Sequence, residues 1–565
     1  MAILKQISSL EKLRLTDTPD LPELEHKKVF RGERFSYQIA VFDEGMSAFR
    51  VSADSSCREW IRIYAVRNAV MDHPNYVSCR DTDYITYEPG LMPDILQPLP
   101  AQNGLIQVLP KRAVSLWIRV DIPRQAEPGQ YTVTLRLDKI SEEDMKGRGG
   151  SKEPISLSRT MTLEVLPITL PEQELMVTQW FYADCIANAH RVEPYSEEHW
   201  TLIDRYMACA ADIGINMLLT PVITPPLDTM YGVQRPNVQL LDITKEGSRY
   251  RFGFERLHRW IGLCRKNGIR YYEIAHLFSQ WGMAYAPNIW GTEDGEYKLL
   301  FGWHVKADDR TYLDFLAQML PALTEELERE GIREHTYFHI SDEPKSDHLD
   351  RYQRFSDWIR PLICGCRRMD ALSEVDFYDR GLVDCPVTAS NRIKPFLEKH
   401  IADQWVYYCM GQRDAVSNRF LAMPSYRNRI MGLQMYKSRV KGFLQWGFNY
   451  YYSRCSGYPI DPYQTTSADL TFPSGDPFTV YPGKDGPILS LRALVFYEGL
   501  QDVSVCRLLE SLAGREAVER MIDDEAGMTV DYERYPRSAE YLLRLREKMT
   551  DLIEDRMKAR EAQEG

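Results

Sequence analysis

Alternating apolar and polar positions dominate the first 170 residues of this 565-residue chain. The period-two pattern is clearest in three stretches: 35–42, 115–122 and 131–137. Short alternating strands separated by proline and glycine are typical of antiparallel sheets. The pattern predicts an N-terminal antiparallel β-sandwich over residues 1–170, with the polar segment 141–154 as a hairpin loop and 166–171 as the linker to the next domain.

From about residue 171 the pattern changes to short apolar runs that alternate with amphipathic segments. The predicted strands are 175–182, 216–220, 271–277, 336–341, 368–373, 385–389, 404–409 and 441–447. The predicted helices are 196–212, 254–267, 311–329, 348–361, 427–438 and 490–513. This order predicts a (β/α)8 TIM barrel over 171–513, followed by a helical extension over 514–565.

Three predicted loops of the barrel, 221–252, 279–308 and 449–489, are too long to be simple connectors. Long loops at the C-terminal face of a barrel usually build the active site. These loops are rich in aromatic residues, and Trp281 is one of them. Such rings suit a cleft for sugars, and packing of the loops onto each other is an equal alternative.

Composition and charge exclude several classes of function. The net charge is −12 without a basic block, which argues against nucleic acid or an anionic membrane as partner. No apolar stretch reaches the ~18 residues of a membrane span. The eleven cysteines show no C-x-x-C spacing, which favours free thiols over zinc or redox motifs. No signal peptide is visible, which predicts a cytoplasmic protein, although a chain trimmed of its leader would look the same; homo-oligomerisation stays open.

The most informative motif is Asp342-Glu343, which ends the fourth predicted strand and is followed by Pro344. Two carboxylates that face one site cannot both ionise at their usual pH, and a raised carboxyl pKa suits a general acid. Alternation places His339 and Glu343 inside the barrel and Asp342 outside. Asp342 joins them only if the strand ends or bulges, as Pro344 favours. An ordinary surface Asp-Glu pair is the competing interpretation.

A second carboxylate is missing where many retaining glycosidases of this fold carry their nucleophile. The seventh predicted strand holds none, and Asp414 comes only after the following turn. A substrate with a 2-acetamido group supplies its own nucleophile, the amide oxygen. That route needs one carboxylate to orient the amide and another to protonate the leaving oxygen. Asp342 and Glu343 are predicted to take these roles in that order.

Several segments resemble glycoside hydrolase family 123, the β-N-acetylgalactosaminidases. The similar segments are 339–344, with the sequence His-Ile-Ser-Asp-Glu-Pro, 442–450, 475–487, 491–502, 30–33 and 128–131. The resemblance implies a retaining, substrate-assisted β-N-acetylgalactosaminidase that acts on an oligosaccharide or glycoconjugate without a cofactor. It implies Asp342 as the residue that stabilises the acetamido group and Glu343 as the general acid/base. The predicted helix 490–513 departs from the family's usual sequence at Phe496-Tyr497 and Val503-Ser504.

Further residues at strand ends and in loops are candidates for substrate contacts, each with a structural alternative. They are Trp180, Asp184, His276, His339, Tyr407, Tyr408, Trp446, Asn449 and Asp476, besides Trp281. Trp446 is predicted to stack on a sugar ring, and only one of Tyr407 and Tyr408 is expected to face the cleft. His339 either tunes the acid pair or fills the barrel. No cluster has metal-ligand spacing.

Two other functions remain open at this point. One is a glycosidase for a sugar without the acetamido group, with a nucleophile not yet identified. The other is a carbohydrate-binding protein without catalytic activity, against which the intact Asp342-Glu343 pair argues only weakly.

Overall fold

The computed structural model describes residues 2–140 and 155–564, so the predicted hairpin loop at 141–154 lies outside the described residues. The chain forms two compact units. The first comprises Met1–Glu174, Ser417–Lys437 and Ile488–Gly565, and the second comprises Leu175–Val416 and Ser438–Pro487. These units are defined by packing and each combines separate stretches of chain. The division of the sequence into three consecutive domains, 1–170, 171–513 and 514–565, remains a proposal.

The first unit contains two five-stranded sheets. Their strands are Ile3–Ser8, His26–Arg31, Arg34–Asp43, Ser47–Ser55, Ile61–Met71, Gly90–Leu99, Gly104–Val108, Arg112–Asp121, Gly129–Lys139 and Ser156–Thr169. Neighbouring strands are antiparallel except His26–Arg31, which runs parallel to Ser156–Thr169. Apolar side chains from both sheets share one core, in which Ile39 and Leu135 are fully buried. The predicted β-sandwich is thereby confirmed.

The predicted linker at 166–171 is wrong for most of its length. The last strand of the sandwich continues to Thr169. Leu166 and Ile168 are buried, and this burial favours an extended strand over an exposed connection.

The second unit contains a closed barrel of eight parallel strands, which confirms the predicted (β/α)8 architecture. The strands are, in order, Met176–Gln179, Met217–Thr220, Tyr271–Ile274, Thr336–Phe338, Arg367–Leu372, Cys385–Ala389, Trp405–Tyr407 and Gly442–Gln445. Each overlaps its predicted counterpart. Most of their residues are buried, as expected for strands that are covered on both faces.

Helices alternate with the barrel strands and continue to the C-terminus. They are Ala183–His190, Glu197–Asp212, Glu255–Lys266, Arg310–Arg329, Leu349–Ile359, Asp376–Asp379, Lys394–Leu397, Ser425–Arg429, Met431–Ser438, Leu491–Ala513, Arg515–Ala526 and Ala539–Glu564. Ser196, Asp309 and Ser490 precede three of these helices and accept hydrogen bonds from first-turn amides. Such caps satisfy amides that lack a partner within the helix.

Two of the predicted long loops form regular structure. Their strands Asp242–Glu246, Arg249–Gly253, Ile289–Glu293 and Glu296–Phe301 form a four-stranded sheet. Two further short strands are Val480–Pro482 and Pro487–Leu489. None of the eleven cysteines, all of which lie in the described residues, forms a disulfide. Among the described helices, none combines the length and apolar character needed to cross a membrane.

Candidate active site

A cavity of about 220 Å³ lies at the C-terminal ends of the barrel strands. Its walls are formed by Trp180, Tyr182, Leu227, Asp228, Gln280, Trp281, Asp342, Glu343, Ala371, Tyr407, Cys409, Met410, Leu444, Trp446, Arg454 and Phe472. Both predicted catalytic carboxylates are among these residues, together with four predicted aromatic contacts. Apolar rings therefore surround a small number of charged groups, as in many ligand sites.

The two carboxylates reach the same cavity because the fourth barrel strand ends before them. Its ladder stops at Phe338, and Glu343 has a left-handed backbone with φ of 43°. The amide of Trp281 donates to the carbonyl of Asp342 at 3.2 Å, and Pro344 follows. Period-two alternation therefore does not extend to Asp342. A left-handed conformation of a non-glycine residue is strained and often marks a functional site.

The protonation of the acid pair follows from burial and mutual repulsion. Burial raises the pKa of Asp342 well above its usual range, and the nearby charge of Glu343 raises it further. The Tyr407 hydroxyl donates to Oε1 of Glu343 at 2.8 Å, and burial raises the pKa of Tyr407 so that it remains a donor. Burial therefore favours the protonated form of Asp342, while Glu343 accepts the hydrogen bond of Tyr407.

A buried carboxylate, Glu273 of the third strand, supports the floor of the cavity. Its Oε1 accepts hydrogen bonds from Nε1 of Trp180 and from Nε2 of His339, both at 2.6 Å. Its Oε2 accepts a third bond from the Thr178 hydroxyl at 2.7 Å. One side chain therefore connects the indole that lines the cavity to His339, whose charge acts on Asp342.

Asp370 of the fifth strand holds the other side of His339. It accepts a bond from Nδ1 of His339 at 3.0 Å, bonds from the amides of Ile340 and Ser341, and a bond from the Tyr352 hydroxyl. Burial opposes a charged ring, but the bonds to Asp370 and Glu273 raise the pKa of His339 to about 10. His339 is therefore an imidazolium at neutral pH, and it lies outside the cavity wall.

His276 is fully buried and stacks on His339, with ring centroids 4.2 Å apart and planes inclined by 15°. Burial and the charge of His339 lower the pKa of His276, so its ring is neutral. Within the described residues, neither of its ring nitrogens has a hydrogen-bond partner. His276, His339 and Asp370 are close enough to be considered as metal ligands. The in-plane lone pairs of two stacked rings run side by side and do not converge on one point, so this geometry does not favour a metal site.

Trp446 is half-buried in the cavity wall and is held by its indole nitrogen. Nε1 donates to Oδ2 of Asp476 at 3.0 Å. Gly447 permits this contact, because a Cβ there would lie 2.1 Å from the carbonyl oxygen of Pro477. The predicted role of Trp446 as a sugar platform fits its position. Asp476 is fully buried and supports the indole, so the predicted direct substrate contact does not fit it.

Two other predicted substrate contacts also do not fit the structure. Asn449 is fully buried, accepts from the amide of Tyr182 at 2.9 Å and donates to its carbonyl at 3.0 Å. Asp184 forms two 2.7 Å bonds with the Arg235 guanidinium and accepts a third bond from the Tyr452 hydroxyl. Neither residue lines the cavity. Their polar atoms already have partners, so both have a supporting role.

The structure also shows which tyrosine of the seventh strand faces the cavity. Tyr407 lines it, whereas Tyr408 is buried against the ring of Phe443. His276 is buried behind Trp180, with ring centroids 5.3 Å apart, and does not line the cavity. The direct substrate contacts predicted for Tyr408 and His276 therefore do not fit the structure.

Sequence reasoning missed four charged residues of this region. Glu273 and Asp370 are single acids with apolar neighbours on both sides in their strands, and that pattern is a usable signal for an inward-pointing charge. Asp228 and Arg454 line the cavity from long loops, where neighbouring residues give no comparable signal.

A (β/α)8 barrel with paired carboxylates at the end of its fourth strand and aromatic walls has the arrangement of a glycoside hydrolase. The family model described as the glycoside hydrolase 123 catalytic domain matches residues 180–509, and the model of its N-terminal domain matches residues 16–139. The chain belongs to glycoside hydrolase family 123. It is therefore an enzyme, and the alternative of a non-catalytic binding protein does not hold.

A solved structure of a family 123 enzyme has the same fold. A family 123 glycoside hydrolase from Clostridium perfringens shares 15% identity with a TM-score of 0.72, over 98% of this chain and 99% of that one. A family 2 member from Bacteroides cellulosilyticus shares 9% identity over 80% and 47% of the two chains, with a TM-score of 0.26. The β-glucuronidase of Bifidobacterium dentium shares 8% over 89% and 67%, with a TM-score of 0.31. The comparison with curated proteins finds no match.

Proposed function

We propose that this family 123 enzyme releases terminal β-linked N-acetylgalactosamine with retention of configuration, with the substrate's 2-acetamido oxygen as the nucleophile. The convergence of Asp342 and Glu343 on one cavity supports this proposal. The seventh strand contributes the hydroxyl of Tyr407 to the cavity. Among the described lining residues, Asp228 is the one further carboxylate, and Tyr450 and Cys455 bind one of its oxygens.

The first chemical step forms a bicyclic intermediate. The acetamido oxygen attacks C1 of the sugar, and the electron pair of the C1–O bond goes to the leaving oxygen. Glu343 gives its proton to that oxygen. Asp342 accepts a hydrogen bond from the amide N–H and stabilises the positive charge that develops on the oxazolinium ring.

The second step restores the enzyme. A water molecule attacks C1 and transfers its proton to Glu343, while the bond between C1 and the acetamido oxygen breaks. Each step inverts the configuration at C1, so the product retains the configuration of the substrate. The enzyme residues hold and move protons throughout, and no cofactor takes part.

Substrate binding is expected to move the shared proton. In the free protein, burial raises the pKa of Asp342, and the hydroxyl of Tyr407 points to Glu343. An amide N–H that docks on Asp342 favours its ionised form. The proton then passes to Glu343, so the substrate itself prepares the general acid.

The natural glycan that carries the terminal sugar is the least specific part of the proposal. The related Clostridium perfringens enzyme is described by its hydrolysis of glycolipid glycans. We extend this to the present chain as an oligosaccharide or glycoconjugate with a terminal hexosamine. The indoles of Trp180, Trp281 and Trp446 line the cavity and offer faces for the C–H groups of a pyranose.

Kinetics on aryl glycosides test the proposal. We expect turnover of 2-acetamido but not 2-hydroxy substrates, a preference between 4-epimers for the galacto form, and inhibition by a thiazoline analogue of the oxazoline. Turnover of 2-hydroxy glycosides, or a covalent bond between sugar and protein, would instead require an enzymic nucleophile.

Two variants separate the roles of the acids. Glu343→Gln is expected to lose activity on substrates with poor leaving groups and to retain more on activated ones, because only the former need a proton. Asp342→Asn is expected to lose activity on both. Full activity of Asp342→Asn would contradict the mechanism.

A further inference from the structure

A third carboxylate, Asp228, lines the catalytic cavity from the loop that follows the second barrel strand. Its backbone is left-handed, with φ of 40°. Such a conformation costs a non-glycine residue free energy and persists only where surrounding contacts impose it.

Contacts from two other loops hold Asp228 in this conformation. Its amide donates to Oε1 of Gln280 at 2.7 Å, and its carbonyl accepts from the Ser456 hydroxyl at 2.7 Å. Its carboxylate oxygen Oδ2 accepts from the Tyr450 hydroxyl at 2.5 Å and from the amide of Cys455 at 3.0 Å. The side chain is therefore fixed in direction before any ligand binds.

The other carboxylate oxygen is available. Within the described residues, Oδ1 of Asp228 has no hydrogen-bond partner, and it is not among the solvent-inaccessible orphaned atoms. Burial raises the pKa of Asp228, and the bonds from Tyr450 and Cys455 and the charges of Arg235 and Arg454 oppose this shift. Arg454 lines the same cavity and is exposed. One wall of the cavity thus presents an oriented acceptor and a guanidinium donor.

We propose that Asp228 and Arg454 bind hydroxyl groups of the sugar in the catalytic cavity and determine which hexosamines are accepted. Asp228 accepts a hydrogen bond from a hydroxyl, and Arg454 donates to a hydroxyl oxygen. This role deepens the proposed function, because Asp342 and Glu343 serve the amide at C2 and the oxygen at C1. The hydroxyls at C3, C4 and C6 then need other partners.

The alternative is that Asp228 only joins two loops. A structural role would weaken the enzyme towards all substrates alike, whereas a substrate contact is selective. Hydrogen bonds that involve a charged group contribute roughly 1.5–3 kcal/mol, which corresponds to about 10- to 150-fold in kcat/KM. A substrate that lacks the contacted hydroxyl does not make this hydrogen bond, so replacement of Asp228 costs it nothing further. A double-mutant cycle that combines the variant with the deoxy substrate therefore separates the two roles.

The test compares Asp228→Asn with the wild-type enzyme on an aryl 2-acetamido-β-galactoside and on its 3-, 4- and 6-deoxy analogues. We expect kcat/KM on the parent substrate to fall about 10- to 150-fold and to fall no more than about 3-fold on one deoxy analogue. Arg454→Gln is measured in the same way. Asp469→Asn is the matched control, because Asp469 is exposed, lies in the same long loop as Arg454 and is not in the cavity wall.

Equal losses on all four substrates, or no loss on the parent, would overturn the role of Asp228 and leave the proposed function intact. Thermal unfolding of each variant shows whether an equal loss reflects destabilisation. Calorimetric binding of N-acetylgalactosamine to the wild-type protein distinguishes the two proposals. If the protein neither binds nor turns over any of these sugars, both proposals are overturned.

Discussion

The hydroxyl of Tyr407 donates a 2.8 Å hydrogen bond to Oε1 of Glu343 and so connects the end of the seventh barrel strand to the end of the fourth. A hydrogen-bond donor therefore stands where the retaining glycosidases considered above carry a carboxylate. A donor favours the ionised form of its acceptor. In the free enzyme this contact stands beside the burial of Asp342, which raises the pKa of that carboxyl.

Replacement of Tyr407 by phenylalanine tests this contact, because the ring remains and the donor is lost. We expect kcat/KM to fall about tenfold or more, as for other bonds to charged groups. The basic limb of the pH–rate profile should move to higher pH, because the acid pair then keeps its proton longer. Tyr408→Phe is the control, since Tyr408 does not line the cavity. An unchanged profile of Tyr407→Phe would show that the bond has no part in protonation.

Asp342→Asn should separate function from stability. The pKa of Asp342 is raised in the folded protein, mainly by burial, whereas an unfolded aspartate ionises near pH ~3.9. Above that pH the folded state binds more protons than the unfolded state, so the free energy of unfolding falls as pH rises. The variant, which cannot ionise, should therefore gain stability relative to the wild type between pH 4 and pH 7 while losing activity.

Denaturant unfolding at the two pH values measures this difference. The stability of Asp342→Asn relative to the wild type should be larger at pH 7 than at pH 4. The same relative stability at both values would mean that Asp342 is ionised as readily in the folded protein as in the unfolded chain.

The barrel was predictable from sequence because its strands are nearly continuous apolar runs bounded by polar loops. All eight predicted strands overlap observed ones, and the segments 216–220 and 385–389 differ by at most one residue. The strand that carries Asp342 and Glu343 is shorter than predicted, because its ladder ends at Phe338. The linker predicted at 166–171 is wrong for most of its length, since an apolar stretch with two prolines fits a strand end equally well.

The acid pair was also predictable, since two adjacent carboxylates at a strand end are a local signal. The roles of Asn449, Asp184 and Asp476 were not, because each depends on a partner that is distant in sequence. Asn449 binds the backbone of Tyr182, which lies 267 residues away. The sequence shows which residues are polar, but not whether another part of the chain already uses their polar atoms.

The buried carboxylate of Glu273 is expected to act as a positioning residue. Glu273→Gln keeps the shape of the side chain and removes the charge that supports both Trp180 and His339. Loss of that charge lowers the pKa of His339 from its value of about 10. We expect kcat to fall more than KM rises, because the acid pair and the indole lose their fixed arrangement.

Thr178→Val is the matched control for Glu273→Gln. It removes the bond to Oε2 and leaves both bonds to Oε1 in place. The pH–rate profile and the titration of His339 by nuclear magnetic resonance should change in Glu273→Gln but not in Thr178→Val. Identical changes in both variants would show that Glu273 has only a packing role.

A pH-dependent loss of stability is expected in the first unit. Glu498 is buried there, and its Oε2 accepts bonds from the Ser9 hydroxyl at 2.9 Å and from the guanidinium of Arg429 at 3.0 Å. Its Oε1 is buried without a partner in the described residues. Burial raises the pKa of Glu498 to about 7, although Arg429 opposes this shift.

An unfolded glutamate ionises near pH ~4.3, so between that pH and 7 the folded state holds a proton that the unfolded state has lost. The free energy of unfolding therefore falls by at most roughly 1.4 kcal/mol per pH unit across this window and is constant with respect to this group above it. Glu498→Gln should remove this contribution to the slope and leave that of Asp342. Glu516→Gln, whose side chain is exposed, should keep both. Chemical denaturation from pH 4.5 to 8 measures the slopes, and parallel curves for wild type and Glu498→Gln would mean that Glu498 is ionised throughout.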